Sequence, residues 1–136
     1  MCRSLMVELP KDCKWDMLVF DVDGTLMDIN GYHPELIPLI REVETRGLTV
    51  SLASVRTLPN VTPSKQSLGV YGFIIVENGG MGWDSGEGRE IVALADGSRA
   101  RDAAEWLGTQ IEVFDAVGIE SNRWRETEWC LYEKED

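Results

Sequence analysis

Apolar residues in this chain gather in short continuous runs separated by glycine, proline and charged stretches. The first run lies within residues 15–21 and includes Leu18-Val19-Phe20. A run of this length, rich in strand formers, predicts a buried parallel strand. The spacing then changes. Leu36, Ile37, Ile40 and Val43 form a stripe with a polar back, which predicts a helix. His33 and Pro34 read as its N-cap and first position, Gly47 closes it, and Pro38 is expected to distort its start. Residues 48–54 predict a second strand, completing a β-α-β unit whose crossover is right-handed. A helix is expected over 57–68, interrupted by Pro59 and Pro63 and capped by Asn60 or Thr62 ahead of Pro63. Residues 70–76 give a third strand. The fold class is therefore α/β with a parallel sheet.

The pattern changes after Gly80. Residues 81–94 read as a hairpin around a glycine-rich turn. Residues 97–107 read as a helix with Ala103, Ala104, Trp106 and Leu107 inward. Residues 111–118 are ambiguous, and 127–132 read as a strand. Before the first strand, an irregular lead-in with a short strand around 4–8 is expected. The chain thus divides into a core, 1–80, and a second part, 81–136.

With 136 residues the chain can bury one sizeable core. Its net charge of -11 argues against nonspecific nucleic-acid binding and against docking on an anionic membrane. Three cysteines, Cys2, Cys13 and Cys130, with no metal-ligand spacing, fit a reduced, cytoplasmic protein. No run approaches a membrane-spanning length, and the N-terminus lacks signal-peptide zones. A single histidine, His33, excludes multi-histidine metal sites.

The chemistry concentrates where the first strand ends, at Asp21-Val22-Asp23-Gly24-Thr25. Ligand sites in open parallel sheets lie beyond the carboxyl ends of the strands. Two carboxylates there need a cation or a shared proton. The simplest reading is a magnesium site in which one carboxylate is also a nucleophile; the bland alternative is an Asx-type turn. Ser54, at the tip of the second strand, carries a hydroxyl that can donate to a ligand there or be only a turn residue, and Arg56 can add a charge-assisted contact or simply be a surface residue. Asn78, in Glu77-Asn78-Gly79-Gly80 after the third strand, reads by itself as a plain Asn-Gly turn. Arg123 and Arg125 flank Trp124. On a strand both would face one side, either to hold a carboxylate or phosphate or as a solvated pair over a buried tryptophan.

The Asp-x-Asp-Gly-Thr run resembles the first motif of the haloacid dehalogenase-like hydrolases, and Ser54 matches the position of their second. Strand followed by Asn-Gly-Gly resembles the Cof-like branch, which carries an inserted α/β cap. The Asn-Arg-Trp-Arg-Glu run at 122–126 is most similar to the archaeal phosphoglycolate phosphatases. The resemblance implies a Rossmann-like core with part of a cap over 81–136. It implies that Asp21 attacks phosphorus to form an aspartyl phosphate, that Asp23 protonates the leaving oxygen and then activates water, and that Thr25 holds the loop. It further implies phosphate contacts from Ser54 and Arg56, substrate contacts from Asn78, Arg123 and Arg125, and Mg2+ held by Asp21 and by Asp23 through its backbone carbonyl. The expected activity is magnesium-dependent hydrolysis of a small phosphomonoester such as phosphoglycolate.

Two elements of that family's pattern do not follow here: a lysine after the cap and a final pair of acids. Lys134 follows the last strand of the cap but no core strand comes after it, and Lys11, Lys14 and Lys65 stand in other contexts. Metal binding is then expected to be weak. Oxyanion-type contacts contribute ~3 kcal/mol each, so losing two lowers a rate by orders of magnitude. The first strand is expected to be an exposed edge of a three-stranded sheet, which invites a homo-oligomer or a partner chain. The competing reading is a catalytically weak relative that binds a partner, or one half of a split phosphatase.

Overall fold

The computed structural model describes residues 14–84, 86, 90–115 and 120–133. The expected strand at 4–8, Cys2, Cys13, Lys11, Lys134 and most of the glycine-rich turn lie outside these residues. Strands β1 (Met17–Asp21), β4 (Thr49–Ala53) and β5 (Ile74–Val76) run parallel, with Asp21 opposite Ala53 and Ala53 opposite Ile75. Two short strands, β2 (Met27–Asp28) and β3 (Gly31–Tyr32), make a small hairpin just beyond β1. Helix α1 (Leu36–Thr45) joins β1 to β4, and α2 (Leu58–Leu68) joins β4 to β5.

The sheet is larger than the three parallel strands expected. Strands β6 (Met81–Trp83) and β7 (Ile91–Ala93) continue it antiparallel, giving the order β1-β4-β5-β6-β7. The turn at Gly79-Gly80 is short enough to fold β6 straight back onto β5, so the sheet does not stop at residue 80. Strand β1 is an edge, with Val19 48% exposed.

The core lies where α1 and α2 cover the sheet. Val50, Leu52, Val61, Leu68, Ile74 and Val76 are fully buried there, joined by Ile40 and by Val22 and Leu26 from the loop after β1. Burying side chains of this kind contributes about 1.5–3 kcal/mol each.

Helix α1 begins two residues later than expected, whereas α2 falls within one residue of the expected 57–68. Helix α1 starts at Leu36 rather than Pro34, and His33 is no cap: its Nε2 lies 3.5 Å from Asp28 Oδ2. Pro38 is then the third residue, where its missing N–H is one the helix would leave unpaired anyway, so no distortion is required. Helix α2 starts at Leu58 behind Thr57, not at Pro63 behind an Asn60 or Thr62 cap; Pro59 stands in its first positions, and Pro63 lies inside the helix without ending it.

The later segments differ more. In α3 (Ser98–Gln110) only Ala104 is buried, and Trp106 is 61% exposed, so the inward face expected there is narrower. Strand β8 (Phe114–Asp115) pairs with β9 (Tyr132–Glu133). The strand expected over 127–132 is confined to its last residue and the one after it. Residues Glu120–Trp124 form a 3-10 turn, so Arg123 and Arg125 do not share a strand face, and Trp124 is 57% exposed rather than buried.

Candidate active site

The carboxyl ends of β1, β4 and β5 open into a cleft of about 340 Å3 lined by Asp21, Ala53, Ser54, Val55, Ile75, Asn78 and Gly79. Asp21 is the last residue of β1. The chain then folds tightly: Leu26 N and Met27 N both donate to Val22 O, and Gly24 N donates to Met27 O at 2.7 Å. Gly24 has φ 77°, a left-handed conformation that glycine adopts without penalty. Val22 and Leu26 are buried and pin this loop to the core, leaving Asp21 and Asp23 exposed on either side of Val22. Thr25 Oγ1 donates to Asp21 Oδ2 at 3.4 Å, a long contact within the same loop.

Ser54 is buried just past the tip of β4. Its N–H donates to Ile75 O, and its Oγ accepts from Arg56 N at 3.1 Å. That second bond turns the chain so that Arg56 comes back over the first loop. There Arg56 grips Asp23 with two nitrogens: Nη2 to Oδ1 at 2.7 Å and Nε to Oδ2 at 2.9 Å. This fork-on-carboxylate geometry is the strong form of an arginine contact. Arg56, expected to face phosphate or solvent, is thus engaged by a carboxylate of the first motif.

Asn78 also lines the cleft, but its Nδ2 is taken, donating to Glu128 Oε2 at 2.6 Å. Arg125 is brought close. Its Nη1 donates to Val55 O at 3.2 Å and to Glu128 Oε1. Arg123 is exposed and is not among the residues lining the cleft. The structure therefore gathers Asp21, Ser54 and Asn78 around one opening, with Thr25, Asp23, Arg56 and Arg125 at its margins, and leaves Arg123 aside.

Two acids escape sequence reasoning. Glu77 is only 2% exposed, and its carboxylate accepts from Glu126 N, Thr127 N and Thr127 Oγ1. It ties the loop after β5 to a segment about fifty residues later. Glu128 bridges Asn78 and Arg125. An acid placed directly after an apolar strand was a visible signal for Glu77; nothing in the pattern marks its partners or Glu128.

For a magnesium ion, the donors present are of the right kind: hard oxygens from the Asp21 carboxylate and the Asp23 backbone. No group of three or more His, Cys, Asp or Glu side chains able to hold a metal occurs among the described residues. A larger hollow of about 590 Å3, lined by Arg41, Glu44, Thr49 and Tyr71 among others, lies at the opposite end of β4. Glu44 is used there structurally, its Oε1 accepting from Val50 N and Tyr71 N. No helix among the described residues is long and apolar enough to cross a membrane.

Comparison with known proteins agrees with this geometry. A family model described as haloacid dehalogenase-like hydrolase matches residues 18–108. A phosphoglycolate phosphatase of Thermoplasma acidophilum is 33% identical over 111 residues, covering 81% of this chain and 47% of that protein. A phosphoglycolate phosphatase of Picrophilus torridus is 30% identical over 122 residues, covering 88% of this chain and 48% of that one. A crystal structure of a Thermoplasma acidophilum protein superposes with a TM-score of 0.79 at 30% identity, over 88% of this chain and 52% of its own. The chain thus spans about half the length of the relatives it matches. By its motif residues, its sheet and these matches, the chain belongs to the haloacid dehalogenase-like hydrolases.

Proposed function

We propose that this chain takes part in hydrolysis of a small phosphomonoester through a phosphoryl group carried on Asp21. The observation that carries this reading is the meeting of Asp21 and Ser54 in one cleft at the ends of parallel strands. An Asp21 oxygen attacks phosphorus, the bond from phosphorus to the leaving oxygen breaks, and Asp23 gives that oxygen its proton. Water then attacks the aspartyl phosphate, Asp23 takes a proton from it, and Asp21 is regenerated as inorganic phosphate leaves. Ser54 donates to a phosphoryl oxygen, and Thr25 steadies the loop. Arg56 must leave Asp23 before that acid can act, and an arriving phosphate is a natural second partner for its guanidinium.

Mg2+, held by the Asp21 side chain and the Asp23 carbonyl, would neutralise phosphate charge. Phosphoglycolate is the leading substrate, on the names of the relatives together with the arginine and asparagine beside the cleft. Asn78 and Arg125 serve as substrate contacts, with Arg123 a more distant one. In this reading residues 1–80 hold the catalytic core, whose sheet β6 and β7 extend, and 81–136 supply part of a cap. The cysteine usage fits a cytoplasmic setting. A second reading, that of a half-enzyme completed by another copy or by a partner chain, is favoured by the open edge at β1 and its exposed Val19.

The test is phosphate release from phosphoglycolate and from an aryl phosphate, with and without magnesium, beside Asp21→Asn. Turnover that needs magnesium and Asp21 supports autonomous catalysis. Release no faster than from Asp21→Asn overturns it and leaves the half-enzyme reading.

A further inference from the structure

The carboxylate of Glu128 is gripped from two sides. Asn78 Nδ2 donates to its Oε2, and Arg125 Nη1 donates to its Oε1. Asn78 lines the cleft beside Asp21 and Ser54, as does Val55, whose carbonyl also accepts from Arg125. The Arg125 side chain is 7% exposed, and its buried Nε has no hydrogen-bond partner among the described residues. A buried donor left unpaired costs about 1–3 kcal/mol. One amide and one guanidinium with a spare donor therefore converge at the rim of the cleft, and a carboxylate of the protein itself occupies them.

The surroundings are built to hold two of these three groups still. Glu77 and Asn78 have φ of 52° and 54°, in the left-handed region. Non-glycine residues held there cost about 1–3 kcal/mol each and persist only when their surroundings enforce them. The buried Glu77 carboxylate supplies that enforcement through its bonds to Glu126 and Thr127. The same bonds fix the backbone between Arg125 and Glu128. Asn78 and Arg125 are thereby preorganised, whereas the Glu128 side chain is partly exposed and can swing into water.

We propose that Asn78 and Arg125 form a seat for the carboxylate of a phosphomonoester substrate, and that Glu128 is an internal carboxylate filling this seat until the substrate displaces it. The proposal rests on the phosphatase reading above. It assigns the phosphate end of the ligand to the Asp21 and Ser54 side of the cleft and the carboxylate end to the rim. In the free chain Glu128 keeps a buried guanidinium from standing unpaired. When the ligand binds, its carboxylate exchanges with that of Glu128 on Asn78 and Arg125. A ligand without a carboxylate leaves Glu128 where it is. Glu128 therefore lowers affinity only for carboxylate-bearing ligands.

The test is direct binding to the full chain carrying Asp21→Asn, with magnesium present, by calorimetry. The probes are phosphoglycolate, phenyl phosphate and inorganic phosphate. Glu128→Gln and Glu128→Ala are expected to tighten phosphoglycolate by up to about tenfold, while the other two probes bind as before. Arg125→Ala is expected to erase the preference for phosphoglycolate over phenyl phosphate. Thermal unfolding of each variant checks that the fold is kept, and Glu128→Gln, which keeps an acceptor for Asn78, guards against loss of the loop. Weaker phosphoglycolate binding in both Glu128 variants, or an equal change for phosphoglycolate and phenyl phosphate, overturns the seat. If inorganic phosphate binds but no variant discriminates between the esters, the seat falls and the phosphatase reading stands. If none of the three probes binds any variant, the phosphatase reading falls, and the seat with it.

Discussion

Residues 17–76 and residues 77–133 are held by different forces. The first region is an apolar core: two helices over three parallel strands, with Val50, Leu52, Val61 and Ile74 wholly removed from water. The second adds Met81 to that core and otherwise buries little. Ala104 is the single buried residue of α3, and Trp106, Trp124 and Tyr132 are exposed. It is fastened instead by polar bonds, chiefly those of the Glu77 carboxylate and the Asn78–Glu128–Arg125 chain. Apolar packing is spread over many contacts and yields to gradual change; a buried carboxylate concentrates the same task in one side chain. The difference teaches where each kind of substitution should act.

The largest effect is expected in the core. Leu52→Ala should lower stability by about 2–5 kcal/mol, read as a fall in the urea midpoint of the core. Glu77→Ala comes next. It strands the amides of Glu126 and Thr127, at about 1–3 kcal/mol for a buried donor left unpaired. Hydrogen exchange should then speed up at Glu126 and Thr127 while Val50 and Leu52 stay protected. Uniform loss of protection would show the two regions to be one cooperative unit and break the comparison.

Smaller effects sharpen it. The Arg56–Asp23 pair is more than a third exposed on both sides, and such pairs contribute about 0–1 kcal/mol. Arg56→Ala should leave the urea midpoint almost unmoved, which makes it a clean variant for studying the cleft. The smallest effect is confined to alkaline pH. Burial lowers the pKa of Lys65, partly offset by the attraction of Asp84 and Glu44. Its Nζ donates to Tyr71 O and Gly72 O and lies 5.5 Å from the Trp83 ring centroid. A base with a depressed folded-state pKa releases its proton in the folded chain first, so the unfolded chain binds more protons in that window. Stability should therefore rise with pH between the folded-state pKa and the ordinary value of 10.5, then level off. Lys65→Met should remove that rise, as read from urea midpoints across a pH series.

The same contrast explains what could be read from the sequence. Strands β1, β4 and β5, the glycine turn after Asp21 and the placing of Ser54 follow from local pattern, because apolar runs and turn chemistry act within a few residues. The α/β class and three residues of the cleft were legible for that reason. The start of α1 was misplaced because Pro34 and Pro38 both fit first-turn positions. The inward face of α3 was overdrawn because periodicity shows which residues are apolar and says nothing of whether anything covers them. Arg56 on Asp23 spans 33 residues and Glu77 on Thr127 spans 50, and neither pairing leaves a trace in local spacing.

The proposed mechanism places the phosphoryl group on Asp21. Its most direct test is acid quenching of the chain during reaction with phosphoglycolate and magnesium, followed by mass analysis of its peptides. One added phosphoryl group is expected on the peptide containing Asp21, lost on mild alkaline treatment and absent in Asp21→Asn. A phosphoryl group on another residue, or none on any peptide while inorganic phosphate accumulates, would contradict it.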